Sequence, residues 1–265
     1  MTSVCVTQPT LWPHVHLLAR ALSVDDLILL TSAQFSRRTK VGDNTFSTRQ
    51  NSCRIVSPNG PLALVVPIRG SDRKPIIETI VANDGWQVRH LRSIELALGR
   101  APYFDEIYPD VERILQAAAE VPNLGSLTSA TWTWALGRLS GREDSFPLNR
   151  QICELETARI SPLRHIFHDT DLCYDRTGDG SDWMLQLAKA RQADVYVAGA
   201  TAAEQYLDRE AFAAAGIRVE VHRALFEPWP QRAKVDSFES DVSILDLAAN
   251  VGWDQARERL LHSLT

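Results

Sequence analysis

Short apolar runs, each followed at once by polar residues, constrain the fold of this chain more than any other feature. The runs at 3–7, 26–30 and 194–198 are continuous rather than alternating, which is typical of strands in a sheet covered on both faces. Segments with helical spacing separate them, as at 86–98. Strands that alternate with helices predict an α/β fold. We expect a mixed sheet with helices on both faces, in a single domain over 1–265 with a helical subregion near 86–140.

Composition and charge exclude several classes of protein. The chain has 265 residues, of which 45% are hydrophobic, enough for a substantial core. Its net charge is -5 with no basic stripe, which argues against a nucleic-acid partner. The apolar runs fall far short of the roughly 20 residues that span a membrane, and residues 1–7 lack the pattern of a signal peptide. We therefore expect a cytoplasmic protein without a membrane partner.

Neither a metal nor a cofactor is predicted. The four cysteines, Cys5, Cys53, Cys153 and Cys173, are too far apart for a zinc clip, and in a reducing compartment they remain free thiols. His165 and His168 have the spacing of metal ligands only on a helix, whereas Phe167 favours a strand end. No glycine-rich phosphate-binding motif is present, so neither ATP nor a dinucleotide has support.

Local signals predict several further elements. Ser57-Pro58-Asn59-Gly60 contains an Asn-Gly pair between apolar runs, which predicts a hairpin. The polar, basic segment 36–48 reads as a loop. Asn83 is a candidate cap for the helix that starts near Gly85, and 243–250 predicts a closing amphipathic helix.

Seven short motifs stand at the ends of these elements, at 8–13, 33–35, 50–55, 86–91, 101–104, 199–207 and 243–246. In this order they resemble the WbqC-like family over roughly residues 4–252. Members of that family accompany aminosugar decoration in bacterial surface-polysaccharide clusters. The resemblance therefore implies chemistry on the amino group of a sugar-like small molecule.

Two glutamines are candidate ligand-binding residues. Gln8 and Gln34 each follow a predicted strand, and the carboxyl ends of strands line the ligand crevice of open α/β sheets. A glutamine amide donates and accepts hydrogen bonds, which suits an amide or a sugar hydroxyl. The alternative is that these amides satisfy the backbone of their own loops.

Cys53 is the candidate nucleophile. Where the family usually has Asn-Arg-Asn-Arg-Ile, this chain keeps Asn51, Arg54 and Ile55 but has Ser52 and Cys53 between them. A thiol beside Arg54 has a route to a lowered pKa and would accept an acyl group as a thioester. The alternative is that Ser52 and Cys53 replace the usual family residues without any catalytic role. Asn51 and Arg54 are expected to bind the substrate.

His90 and Asp246 complete the expected catalytic set. His90, in the Trp86-to-Leu91 motif, is a candidate general base that pairs with Cys53. Asp246, or Glu95, would orient its ring. A structural histidine and a capping or salt-bridging aspartate are the alternatives.

Three further residues are expected to line the substrate site. Gly199 stands at a strand-to-helix turn, where backbone amides form an anion site, although the family's second glycine is replaced by alanine here. Tyr103 and Trp229 offer aromatic faces for a sugar ring, though aromatic residues are more often core. Trp229 lies between two prolines, so we expect it to be less buried than the others.

These observations predict an enzyme that forms an amide bond. It would move an acyl or aminoacyl group from a thioester, such as an amino acid on a carrier protein, to the amine of an aminosugar-like acceptor. Amino acids are also joined to aminosugars in the lincosamide antibiotics. A role in antibiotic biosynthesis is therefore expected by analogy with that linkage alone. The alternatives are direct transfer without an acyl-enzyme, and a non-catalytic scaffold that docks a carrier protein through Arg37, Arg38 and Lys40.

Overall fold

A computed structural model describes the chain over 1–36, 38–41, 44–47, 50–70, 73–141, 162–176, 178–232 and 238–263, without the side chains at 38–41 and 44–47. The predicted α/β class is confirmed. The strands are β1 (Ser3–Thr7), β2 (Asp26–Leu29), β3 (Arg38–Val41), β4 (Asn44–Ser47), β5 (Ser52–Ser57), β6 (Gly60–Val65), β7 (Ile68–Arg69), β8 (Ile80–Val81), β9 (His165–His168), β10 (Val195–Gly199) and β11 (Arg218–His222).

The helices of the described residues lie between and after these strands. They are α1 (Val15–Leu22), α2 (Trp86–Leu98), α3 (Phe104–Ala117), α4 (Leu124–Leu139), α5 (Gly180–Ala190), α6 (Ala200–Gln205), α7 (Arg209–Ala214) and α8 (Ile244–His262). Helices α2, α3 and α4 follow one another where the helical subregion was expected. Within the part of the chain that the structure describes, no helix is both long and apolar enough to cross a membrane.

Five strands form a parallel sheet in the order β11-β10-β1-β2-β9. All four residues of β2 are buried, and successive side chains of a strand point to opposite faces. The sheet is therefore covered on both faces, as the continuous apolar runs predicted. The antiparallel strands form separate pairs, β3 with β4, β5 with β6, and β7 with β8, instead of joining this sheet.

The hairpin predicted at 57–60 is confirmed, because Ser57 pairs with Gly60 at the end of β5 and β6. Gly60 has a φ of 106°, a conformation that glycine adopts without strain. The loop expected at 36–48 was wrong, since β3 and β4 pair there. Its β-branched and aromatic residues favour strands. Arg37 and the side chains of Arg38 and Lys40 lie outside the described part of the chain.

Two helix ends differ from the expected ones. The residue that caps α2 is Gly85, with a φ of 75°, and Asp84 rather than Asn83 accepts a hydrogen bond from the backbone N–H of Trp86. The closing helix extends beyond residue 250 to His262, with a break at Gly252. The polar residues after 250 hid this continuation, because amphipathic spacing alone does not reveal a helix that resumes after a glycine.

Candidate functional site

The carboxyl edge of the parallel sheet gathers two of the predicted binding residues. Gln8 follows β1 directly, Gln34 follows β2, and both side chains are exposed. Gln34 also forms a backbone bridge with Pro75. Because β1 and β2 are parallel neighbours, their ends reach the same edge. Both glutamines therefore lie where reasoning from strand ends placed them, at the carboxyl edge of the sheet.

A relay of hydrogen bonds orients the Gln8 amide. The backbone N–H of Ser36 donates to Gln50 Oε1 at 2.9 Å, and a backbone N–H can only donate. Gln50 must then present Nε2 to Gln8, and it donates to Gln8 Oε1 at 2.6 Å. The orientation leaves Gln8 Nε2 as a donor at the exposed end of β1. A carbonyl or hydroxyl oxygen of a ligand is the natural acceptor for it.

The β5–β6 hairpin holds Asn51 and Cys53 in buried positions. Asn51 Nδ2 donates to the carbonyl of Val66 at 2.8 Å, and Val66 N donates back to the Asn51 carbonyl at 2.8 Å. Cys53 pairs with Leu64 across the hairpin, and only 2% of its surface is exposed. Asn51 thus fastens the end of the hairpin on which the thiol stands.

His90 adjoins this hairpin from helix α2. Its Nε2 lies 3.1 Å from the carbonyl oxygen of Val65, and its ring meets Trp86 edge-on at a centroid distance of 4.9 Å. A carbonyl oxygen only accepts, so Nε2 carries the proton and Nδ1 the lone pair. Nδ1 is buried without a hydrogen-bond partner among the described residues. Burial, which dominates, lowers the pKa of His90 to about 4, so its ring is neutral at pH 7.

Arg54 is engaged by carboxylates. Its Nη1 donates to Asp241 Oδ2 at 3.2 Å and lies 3.6 Å from Glu239 Oε2. Successive side chains of β5 point to opposite faces, so the guanidinium and the Cys53 thiol diverge. The Arg54 guanidinium is therefore held by the two carboxylates on the side of the strand away from Cys53.

Asp246 is a buried acceptor for groups from two other segments. Its Oδ2 accepts from the backbone N–H of Val56 at 2.8 Å, and its Oδ1 accepts from Trp229 Nε1 at 3.2 Å and from Gln231 Nε2 at 3.1 Å. Burial, the largest influence, raises the pKa of Asp246. The carboxyl group joins α8 to the hairpin and to the 229–231 loop; it makes no hydrogen bond with His90.

Trp229 is buried, with 4% of its surface exposed, and Tyr103 is only half-buried, so the expectation that Trp229 is less buried than the other aromatic residues was wrong. Its neighbouring prolines indicated a surface loop, but its indole N–H is directed inward to the Asp246 carboxylate. A buried indole usually finds such a partner, and the partner here lies in a distant helix.

Backbone hydrogen bonds join three of the sequence motifs. Ser243 N donates to the Arg54 carbonyl at 2.8 Å, and Ile244 N donates to the Pro13 carbonyl at 2.9 Å. The model of the WbqC-like protein family matches residues 8–258. The chain belongs to this family. No curated protein and no solved structure is detectably similar to it.

In this WbqC-like protein, sequence reasoning missed Asp169, which follows β9 at the same edge of the sheet. Its side chain is fully buried. Oδ1 accepts from the backbone N–H groups of Thr31 and Ser32 at 2.7 and 3.2 Å, and both hydroxyl groups of these residues also donate to the carboxylate. Asp169 therefore fixes the segment that leads from β2 to Gln34. An aspartate directly after a predicted strand was the available signal.

Gly199 and Tyr103 lie in different surroundings. A Cβ at Gly199, the last residue of β10, would collide with Nη1 of Arg20. Tyr103 packs against Gly252 and lines a cleft of about 580 Å³ with residues such as Glu106, Arg138 and Trp253. The residues of this cleft do not include those at the carboxyl edge. The structure therefore does not bring Tyr103 together with Gln8 or Gln34.

Two groups of residues carry atoms that can coordinate a metal ion. His14, His16 and Asp241 place theirs within 4.8 Å of one another, but Asp241 already contacts His14 Nδ1 and Arg54 Nη1, each at 3.2 Å. A metal ion bound through Asp241 Oδ1 would replace its contact with His14 Nδ1, whereas Arg54 is held by the other oxygen, Oδ2. In the other group, His165 Nδ1 contacts Asp26 Oδ1 at 2.8 Å at the start of β9, while His168 lies at its end.

Proposed function

We propose that this WbqC-like protein forms an amide bond. It transfers an acyl or aminoacyl group from a thioester, such as an amino acid on a carrier protein, to the amine of an aminosugar-like acceptor. The observation that carries the proposal is the state of His90, a neutral imidazole whose Nδ1 lone pair has no partner among the described residues. Acyl transfer to an amine needs a base of this kind, because the attacking nitrogen must lose a proton.

The covalent route uses Cys53 as the acyl carrier. His90 Nδ1 takes the proton from the Cys53 thiol, and the sulfur attacks the carbonyl carbon of the donor thioester. The C–S bond of the donor then breaks, and the donor thiol leaves with that proton. The acceptor amine then attacks the new thioester, the C–N bond forms, and the C–S bond breaks. His90 Nδ1 takes the proton from the amine and returns it to the Cys53 sulfur. Atoms and charges balance without a further reactant.

The remaining residues bind or position in this proposal. Gln8 Nε2, oriented by Gln50, donates to the carbonyl oxygen as negative charge develops on it. Gln34 and Gly199 contact the ligand at the same edge of the sheet, whereas Tyr103 lies in a separate cleft and takes no part in this route. Asp246 and Asn51 are positioning residues, because each fastens the Cys53 hairpin to its surroundings.

Because Cys53 and His90 are buried, this route requires local opening of the protein. Cys53 is 2% exposed and His90 is 5% exposed, so neither reaches a donor without local opening. We propose that substrate binding separates the hairpin from α2 at the contact between Val65 and His90. A single hydrogen bond contributes only about 1 kcal/mol, so the loss of this one contact adds little to the cost of opening.

The test is the intact mass of the protein after exposure to a panel of aminoacyl thioesters, without an amine acceptor. We expect a gain of one acyl group that is absent in Cys53→Ala and retained in Cys173→Ala, the matched control with an exposed thiol. A gain that survives in Cys53→Ala, or no gain with any donor, contradicts the acyl-enzyme.

The burial of the Cys53 thiol favours a second candidate, which is direct transfer from donor to amine. His90 Nδ1 would then deprotonate the acceptor amine while the donor thioester is bound, and no acyl-enzyme would form. Single-turnover assays with both substrates separate the two routes. Direct transfer predicts that Cys53→Ala keeps its rate while His90→Ala loses it, whereas the covalent route predicts that both variants lose it.

A further inference from the structure

The parallel sheet has a topological switch point between β1 and β10. From β1 the chain passes through α1 to β2 on one side, while β10 pairs with the other side of β1. In open α/β sheets, ligands bind in the crevice outside the carboxyl ends of the strands at such a point. Any charged group that reaches this crevice is therefore a candidate for ligand binding.

Arg20 reaches the crevice from α1. Its Nη1 contacts Gly199 in the space that a Cβ at that position would fill. In the parallel register Gly199 pairs with His222 of β11, and paired residues of neighbouring strands point to the same face. The guanidinium of Arg20 and the imidazole of His222 therefore lie on the same face, at the carboxyl ends of adjacent strands.

Both side chains carry a buried nitrogen without a partner. Arg20 Nε and His222 Nε2 have no hydrogen-bond partner among the described residues. Two acids of the neighbouring elements are engaged elsewhere, since Glu220 pairs with Arg218 and Glu204 pairs with Arg223, each at 2.7 Å. Buried polar nitrogens almost always have partners, so these two point to a group that the described residues do not supply.

The guanidinium charge is not balanced by its protein neighbours. Cys5 on β1 forms a hydrogen bond with Arg20, but burial raises the pKa of this thiol to about 11, so the thiol is neutral at pH 7. Burial first, and Arg20 second, lower the pKa of His222 to about 4, so the imidazole is also neutral. A half-buried guanidinium without a counter-charge favours an anionic partner.

We propose that Arg20 and His222 bind an oxyanion, a phosphate or carboxylate group of a small-molecule ligand, in the crevice between β1 and β10. Arg20 donates from Nε and Nη in the two-point geometry that matches such oxyanions. His222 donates from Nε2 in its neutral form. The half-exposed Tyr206, whose side chain lies close to Arg20, borders the crevice on the solvent side and offers a hydroxyl donor.

The inference goes beyond the proposed function, because it concerns binding and needs no acyl transfer. Helix α6 begins at Gly199, but it has only 6 residues, so the anion is assigned to the side chains and not to the helix terminus. No sequence motif pointed to Arg20, because its position depends on the contact between α1 and β10.

The test is a titration of the isotope-labelled full-length chain with sodium phosphate, and separately with sodium acetate, at constant ionic strength. We expect saturable shifts of the backbone amide resonances of Gly199 and His222 with at least one of the two anions. The anion that binds more tightly identifies the ligand group as phosphate or carboxylate. Shifts that do not saturate with either anion overturn the proposal.

Two arginine variants distinguish anion binding at this site from a general effect of the protein's charge. Arg20→Gln should weaken binding by about tenfold or more, as expected for a charge-assisted pair, while Arg223→Gln, an exposed arginine beside His222, should bind like the wild type. If Arg20→Gln does not fold, Arg20→Lys and His222→Ala are measured instead. Arg20→Lys removes the planar two-point donor and His222→Ala removes the imidazole donor, so each should weaken binding. Equal binding by wild type and these variants overturns the proposal, as does an equal loss in Arg223→Gln.

Discussion

The Nε2 atom of His90 lies 3.1 Å from the carbonyl oxygen of Val65, and this contact fixes which ring nitrogen carries the proton. It also joins helix α2 to the hairpin that bears Cys53. The His90 ring is neutral in the folded protein in either role, as a base or as a structural donor. A pH titration of the folded protein reveals this neutral state.

Stability should fall in acid because of His90. Its pKa is about 4 in the folded chain against an ordinary value of 6.5. Between these values the unfolded state binds a proton that the folded state does not, so stability rises with pH and is lost as pH falls from 6.5 to 4. The loss amounts to about 3 kcal/mol. Urea unfolding at pH 7 and pH 4.5 measures it.

His90→Gln is the matched variant for this titration. Glutamine retains a donor for the Val65 carbonyl but does not titrate, and His222 remains in both proteins. We expect a smaller loss of unfolding free energy on acidification in the variant. Identical losses in the two proteins would show that His90 is not neutral in the folded state.

Asp246→Asn should destabilise the protein by about 2 kcal/mol, because the new amide nitrogen faces the donor N–H of Val56 or the donors of Trp229 and Gln231. Asp254→Asn, in the exposed part of the same helix, should change the unfolding free energy by less than about 0.5 kcal/mol. Urea unfolding at pH 7 measures both. Equal effects of the two substitutions would refute a buried acceptor role for Asp246.

Asp169→Ala should loosen the segment after β2. The substitution removes the carboxylate that accepts from the N–H and hydroxyl groups of Thr31 and Ser32, and of these groups the Thr31 N–H keeps the Leu29 carbonyl as an acceptor at 3.0 Å. The cost is about 3 kcal/mol. Hydrogen exchange at these two amides should become faster than in wild type. Asp171→Ala, an exposed neighbour in the same turn, is the control and should leave their exchange unchanged.

The three described cysteines should differ in reactivity. Cys173 is exposed, whereas Cys5 and Cys53 are buried, and an alkylating reagent needs an accessible thiolate. Peptide mapping after iodoacetamide treatment at pH 7.5 should find Cys173 modified first. Cys5 and Cys53 should react only after urea is added. Rapid native modification of Cys53 would contradict its burial.

Two glycines should respond to alanine with opposite signs. Gly137 lies inside α4 with no atom near its would-be Cβ, so Gly137→Ala should stabilise the protein by about 0.5–1 kcal/mol. Gly252 has a φ of 79°, and its would-be Cβ lies 2.9 Å from the Tyr103 ring, so Gly252→Ala should destabilise it. Thermal unfolding distinguishes the two, and shifts in the same direction would contradict the prediction.

The sequence by itself determined the α/β class, the hairpin at 57–60 and the family. Each of these depends on local signals, which are the continuous apolar runs of buried strands, an Asn-Gly turn and short motifs in a fixed order. The two glutamines at strand ends were also identified correctly as residues of the carboxyl edge, because parallel strands deliver their ends to the same side of a sheet.

Only the tertiary structure decided how these residues meet. It directed Arg54 to Asp241, buried Trp229 against Asp246, and placed Arg20 beside Gly199. Each of these contacts joins residues from separate elements, and the strand order and the register that create it are set by packing of the whole core. A local sequence pattern specifies the backbone preference of its own residues; it does not specify which distant side chain will share their space.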